Sequence, residues 1–462
     1  DYAVNEDLEF DGSYDGGGHS ITDLYINAPE TDYRGLFGHH VGRLVNLEIS
    51  GEVIGKDYVG LAVGTYVNCH RVDYTCIENV TVSGHVEGDE YVGGLSGEYS
   101  AVYRCVNKAT VVGNVNVGGL VGVSSTLVDG CMNLGEVRGE SYVAGVLGNH
   151  NAGNVINCMN LGTVVGTGHN VGGITGYSRQ QGKVLNNINY GEVSGSYNVG
   201  GICGFCSDNS IRDDVTALRN NVNIGDVQGN QENKTGAICG YNTDEVKHNF
   251  WLYDPAYSKG MAVGVNNSGG AVAENVYLTG DQLKGETSAE PYYVSGTDSY
   301  FELVDALTAW AADNTDTSQW DDPVVLGGWV YSSETGYPEV TAEPAQKPQG
   351  GIGTDPTFEI LTDRYEVSCY SSEIQVDVKT NMSYSISSIP DWISEVKVVE
   401  TDYGFTHLFA IAENTDPVVR EGVIVFCNEN QMCVPVTVIQ EQADPIGEEW
   451  KSKEFHHRSL AM

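Results

Sequence analysis

Residues 117–148 read VGGLVGVSSTLVDGCMNLGEVRGESYVAGVLG. The six-residue segment VGGLVG (117–122) returns as VAGVLG (143–148), and CMNLGEVRG (131–139) lies between the two. Both patterns recur along the first half of the chain. The glycine-closed segment also reads YRGLFG at 33–38, VGLAVG at 59–64, VGGLSG at 92–97, VGGITG at 171–176, VGGICG at 199–204 and TGAICG at 235–240. Its closing glycines fall 25 to 36 residues apart. The second block reads CVNKATVVG at 105–113, CMNLGTVVG at 158–166, NINYGEVSG at 187–195 and NVNIGDVQG at 221–229. Looser forms are NLEISGEVIG (46–55) and NVTVSGHVEG (79–88).

A unit of about 26 residues with short β-rich runs cut by Gly and Asn has no room for a helix. A single unit cannot bury its inward face, so the units must stack. The spacing predicts an all-β chain whose first part is a parallel β-helix of about eight or more coils, with equivalent strands roughly 4.8 Å apart. Stacking turns repeat positions into columns. Asn107, Asn133, Asn160, Asn189 and Asn223 form one, with amides placed to bond along the stack. Cys105, Cys131 and Cys158 form another, and Cys203 with Cys239 a third. Tyr33, Tyr58, Tyr91 and Tyr142 share a column with Asn116, Asn170 and Asn198.

The repeat pattern covers 1–240, and the period fades afterwards. Residues 241–342 read as a C-terminal cap of the solenoid, with one helix near 299–314 started by Ser299 and Glu302 at capping-box spacing. A closing hairpin is expected at 328–340. Residues 343–356 (EPAQKPQGGIGTDP) read as a linker. Short alternating strands over 357–443 predict a small immunoglobulin-like β-sandwich. Residues 444–462 carry no fold signal and read as a tail or the start of a further domain. A solenoid needs a capped end and none is visible before residue 11, so sequence is expected to precede residue 1.

The chain has 462 residues, 63 acidic and 23 basic, for a net charge of −40. That balance excludes a phosphate-backbone interface, so no nucleic-acid partner is expected. No run of 18 apolar residues occurs, so no transmembrane helix is expected, and no signal peptide or anchor is seen. The same charge keeps copies apart and predicts a monomer.

The GLFG, GGLSG, GGLVG and GGICG segments, together with the C/N-x-N-x-G-x-V-x-G blocks, resemble the GLUG-type repeats of bacterial surface proteins over roughly 1–342. PDWIS at 390–394, REGVIVFCN at 420–428 and VTVIQEQA at 436–443 resemble a BACON domain, an immunoglobulin-like module of gut Bacteroidetes. The two resemblances imply a secreted or outer-surface protein, with glycan or mucin attachment as the activity suggested for the second.

Candidate sites follow from residue chemistry. A flat aromatic ring with a polar edge suits pyranose stacking, so the column Tyr33, Tyr58, Tyr91 and Tyr142 is either a sugar-contacting stripe or a ladder covering a coil corner. Trp392 is likewise either a sandwich core residue or a sugar platform. Asp313, Asp316, Asp321 and Asp322 crowd one loop and are calcium candidates, against a plain solvated acidic surface. Eleven cysteines leave at least one unpaired within a single chain. Cys427 and Cys433 flank a hairpin tip where a disulfide fits, and Cys69 with Cys76 is a second local possibility. Cys203 and Cys206 lack the second ligand pair or helix start that metal or redox chemistry needs. No HExxH, G-x-S-x-G or P-loop run occurs.

The expected function is therefore non-catalytic: adhesion or glycan and mucin binding, with the solenoid as stalk or binding surface. Two alternatives remain open at this level. One is a polysaccharide-active β-helix enzyme. The other is a structural subunit that contacts a partner protein.

Overall fold

A computed structural model describes residues 9–443 except 67–75, 100, 180–181, 208–217, 231–233, 244, 253–260, 268–271, 274, 287–291, 296–297, 301, 316–323, 349–357, 363, 381–383, 402–403 and 429–432. The chain divides into two compact units, residues 1–348 and 349–462.

The first unit is a parallel β-solenoid. Ten parallel strands, running from Glu9–Asp11 to Val263–Asn266, form one sheet, and six from Glu90–Gly93 to Thr235–Gly236 form another. A larger sheet, of long strands in the first coils and short ones after them, closes each coil. Repeat positions pair in register: Val117 with Val143, Val143 with Val171, and Val171 with Val199. The asparagine column pairs the same way. Inward-facing Val, Leu and Ile fill a continuous core. Cys105, Cys131 and Cys158 are buried in it, each thiol donating to backbone carbonyls.

The glycines of the recurring segment follow from close packing. A Cβ on Gly118 would lie 1.9 Å from the Val121 carbonyl oxygen. One on Gly119 would lie 2.0 Å from the Gly145 oxygen and 2.6 Å from the Asn133 amide. One on Gly122 would strike backbone of the preceding coil. The first glycine lets the corner turn, the second admits the asparagine column and the third lets two sheets meet backbone to backbone.

The stack continues past residue 240. Cys239–Asn242 pairs with Val263–Asn266, and Phe250–Leu252 pairs with Val276–Leu278. The expected cap region, in its described residues, does not pack over the end of the stack. It lies along the side. It comprises a short helix α1 (Gly280–Leu283), a helix α2 (Leu303–Asn314) and a hairpin of Gly327–Tyr331 with Pro338–Pro344. The reason is an outward column whose residues are apolar: Met159, Ile188, Val222 and Phe250 are buried beneath Leu303, Leu307, Trp310 and Trp329. A lateral cover removes this face from water, at roughly 25 cal/mol per Å² of apolar surface.

Helix α2 begins later than the spacing predicts. Asp298–Tyr300 is a strand paired with Tyr292–Ser295, and the N-cap is Glu302, whose side chain makes no capping bond. The reciprocal capping box belongs to α1, where Thr279 and Gln282 each bond the other's backbone N–H.

The second unit packs two four-stranded sheets around Val376, Val378, Phe409, Ile411, Ile424, Phe426, Val436 and Val438. Along one sheet Ile374, Val376 and Val378 are buried and the residues between them are not, the period-2 pattern of a half-buried strand. A disulfide joins Cys427 to Cys433, which face each other across an antiparallel pair. Cys76 is a free thiol, and its proposed partner Cys69 lies outside the described residues.

Candidate functional site: an aromatic edge

The corner between the ten-stranded and six-stranded sheets carries the tyrosine column. Tyr33, Tyr58, Tyr91 and Tyr142 all have left-handed backbone, with φ between 58° and 59°. Asn116, Asn170 and Asn198 occupy the same corner at φ 52–61°. Asparagine reaches this conformation at low cost and a bulky tyrosine does not. The shared conformation explains why the column mixes these two residue types. It also means that four tyrosines hold a backbone shape that asparagine would hold more easily, and such strain clusters where a side chain has work to do.

At the N-terminal end of the edge the rings are a ladder. Tyr33 stacks on Tyr58 at 4.9 Å between centroids, and Tyr58 on Tyr91 at 4.4 Å with planes 4° apart. His39 lies 4.3 Å from the Tyr33 ring. Both faces of Tyr58 are covered, so it offers no ring face to a sugar. Burial, with Tyr91 and Glu98 nearby, holds the Tyr58 phenol above its ordinary range. This stacking fits the ladder reading at Tyr58, whose two faces are both taken.

Past the Asn116–Asn149 amide bond at 2.9 Å the edge changes character. Tyr142 meets Tyr177 at 5.7 Å with planes at 51°, Tyr177 meets Phe205 at 5.1 Å and 38°, and Phe205 meets Tyr241 at 4.9 Å and 76°. These rings are half-buried and tilted, so each touches its neighbour without covering it. The Arg179 guanidinium lies 6.0 Å from the Tyr177 centroid, held by a 2.9 Å bond from Nε to Asn151. On the adjoining sheet Tyr197 is 43% exposed, with the Lys234 ammonium 5.7 Å from its ring.

Only Tyr142 of this run was singled out by column reasoning. The others carry a legible signal: Tyr177, Phe205 and Tyr241 each follow the closing glycine directly, in GGITGY, GGICGF and GAICGY. Pairing puts them in one outward column with Asn149.

Trp392 stands in the other unit, outside this edge. The Arg420 guanidinium carbon lies 4.4 Å from its ring centroid, and a Cβ on Gly422 would come within 2.7 Å of the ring. Arg420 is itself tied to Gln440 and Ala412. The indole is partly buried against the sandwich core, with the Arg420 guanidinium over its ring. Of the calcium candidates, Asp316, Asp321 and Asp322 lie outside the described residues, and Asp313 pairs with Lys347 at 3.1 Å. Among the described residues no group of three or more His, Cys, Asp or Glu is placed to hold a metal ion. No described helix is long and apolar enough to cross a membrane.

No family model and no curated protein matches the chain. Among solved structures, a putative immunoglobulin A1 protease from Bacteroides ovatus is similar at 16% identity, with a TM-score of 0.34, over 72% of this chain and 77% of that one. A Bacteroides ovatus GH5 xyloglucanase in complex with a XXXG heptasaccharide is similar at 11% identity, with a TM-score of 0.18, over 20% of each chain. At these scores neither likeness bears on activity.

Proposed function

We propose that the chain is a non-catalytic glycan-binding or adhesive protein of an outer cell surface, with the solenoid as its binding face. The observation that carries this reading is the run of tilted, half-exposed rings Tyr142, Tyr177, Phe205 and Tyr241. Rungs roughly 4.8 Å apart place them along about 15 Å of the stack. Ring edges and partly open faces suit the C–H faces of successive sugars, while Arg179, Asn151 and Tyr197 supply polar contacts at the margin. Each contact is weak and the repeat multiplies it. The GLUG-type and BACON-like resemblances agree with a surface location.

The test is a glycan and mucin array probed with the full chain, beside the double variant Tyr177→Ala/Phe205→Ala. Retention of mucin-type or plant-type glycans, lost in the variant, supports the reading. Retention by both proteins moves the site off this edge. Release of reducing ends from a bound polysaccharide would favour an enzyme instead.

A further inference from the structure

We infer that a cleft on the opposite, larger sheet is a second binding site, for an extended oligosaccharide. The cleft has a volume of about 190 Å³ and lies over the first coils, lined by Ser20, Thr22, Ser50, Thr81, Ser83 and Lys108. All of these but Lys108 belong to the longest strands of the solenoid, Tyr14–Asn27, Arg43–Ile54 and Cys76–Glu87. The first of these is bulged: between Ile21 and Leu24 it carries two residues against one on its neighbour, and Asp23 has φ 57°. A bulge bends its strand and re-aims side chains, and here it sets Thr22 against the cleft.

One outward column runs the length of the sheet. Pairing links Glu48 to Thr81, Thr81 to Val106, Val106 to Met132, Met132 to Met159, Met159 to Ile188, Ile188 to Val222 and Val222 to Phe250. From Met159 onward the column is buried under the lateral cover. From Val106 back to Glu48 it is not, and its first two members, Glu48 and Thr81, are polar. The neighbouring column also begins with polar residues. Ser50 and Ser83 are paired, and Lys108 follows them through its backbone bond to Val82. Further on come the exposed Leu134 and Leu161, and then Tyr190 and Ile224, which pack against the cover. The chain's own segment therefore covers the far part of this face and leaves its first coils open, where the polar side chains gather.

The open half carries hydroxyls, one carboxylate and one ammonium. Ser20 donates to Glu48 at 3.1 Å, which holds that carboxylate over the cleft. Lys108 is exposed and makes no ion pair among the described residues. Paired donors and acceptors above the partly buried Ile21 match a ring bearing hydroxyls on its rim and C–H groups on its face. A lone lysine on a chain of net charge −40 does not make a polyanion site. The cleft is smaller than the roughly 300–1,000 Å³ that encloses a whole small molecule, so it takes part of a longer chain.

The experiment titrates a panel of four- to eight-residue oligosaccharides into the full-length protein by calorimetry. Three proteins are compared: unmodified, a cleft variant with Ser83→Trp, and the edge variant Tyr177→Ala/Phe205→Ala. The inference expects a panel member whose affinity falls about tenfold or more in the cleft variant and holds in the edge variant. Lys108→Ala, which leaves the strand backbone alone, is expected to weaken the same ligand severalfold and guards against misfolding of Ser83→Trp. Loss in the edge variant alone overturns the cleft and leaves the proposed function standing. No binding by the unmodified protein at millimolar concentration overturns both.

Discussion

The side-chain amide of Asn107 donates to Asn133 Oδ1 at 2.8 Å, and the amide of Asn133 donates in turn to Asn160 at the same distance. The chain of amides continues through Asn189 to Asn223. Each asparagine also bonds the backbone two residues on, as Asn133 does with the Gly135 N–H and carbonyl. All these amides are buried. Replacing Asn133 by Ala strands the Asn107 donor and an Asn160 acceptor where water cannot reach them. The cost is about 2–4 kcal/mol, because each orphaned buried group carries its own desolvation penalty. Asn133→Asp should cost more, since a carboxylate there would lack a counter-charge. Urea unfolding of the solenoid reads both. A loss under 0.5 kcal/mol for either variant would mean the ladder is ornamental.

How much of this was legible depends on the range of the interaction. The asparagine column could be read because its members recur within one repeat and pair with the next. The second glycine of the VGG segment and the asparagine of the C-x-N block belong to one contact, since Gly119 abuts Asn133. The lateral cover could not be read that way. It is held by partners far apart in sequence: Asn157 donates to the Val325 carbonyl and Asn220 to that of Leu307. The cue was present in the C-x-N blocks, where the middle residue stays apolar at Met132, Met159, Ile188 and Val222 although it points outward. Periodicity reports which residues share a face. It does not report what will cover that face. The tyrosine column shows the same limit: its membership was visible, whereas the left-handed backbone and the stacked rings depend on a corner geometry that only the stack creates.

Removal of the cover tests its role directly. A chain ending at residue 278 leaves Ile156, Met159, Leu185, Ile188, Val222 and Phe250 exposed in one patch. Patches of this kind drive association. The truncated protein should bind a hydrophobic dye and self-associate in sedimentation, while the full chain does neither. A monomeric, dye-silent truncation would show that the cover is dispensable to the stack.

The tyrosine ladder yields a prediction with opposite signs at two levels. Tyr58→Asn relieves a left-handed tyrosine, as Asn116, Asn170 and Asn198 already do in the same corner. It also removes the ring held between Tyr33 and Tyr91, and aromatic pairs are worth roughly 0.5–1.5 kcal/mol each. Backbone relief of about 1 kcal/mol offsets part of that loss. The net loss of stability should therefore be no more than about 2 kcal/mol. Tyr58→Val keeps the strain and loses the rings, and should be worse by a clear margin in the same unfolding series. Equal destabilisation by the two would remove the backbone argument.

Two buried histidines and one half-buried aspartate set the acid response of the solenoid. Burial lowers His150 to about 4 and His248 to about 3, from an ordinary value of 6.5. Between pH 6.5 and 4 the unfolded chain takes up protons that the folded chain refuses, so stability falls as pH falls through that window. Asp129 works the other way. Burial raises its carboxyl to about 6, against the 2.7 Å bond it accepts from Asn157. Its contribution is full below pH 3.8 and is lost as pH rises through 6. Because Asp129 is only half-buried, the amount is about 1–2 kcal/mol. Asp129→Asn should therefore stabilise the protein at pH 7.5 and change little at pH 4, and His150→Asn should flatten the decline between pH 6.5 and 4. The denaturation midpoint measured across pH for the three proteins separates the two effects. A parallel shift of the whole curve for Asp129→Asn would mean that repacking, rather than the carboxyl's ionisation, accounts for its effect.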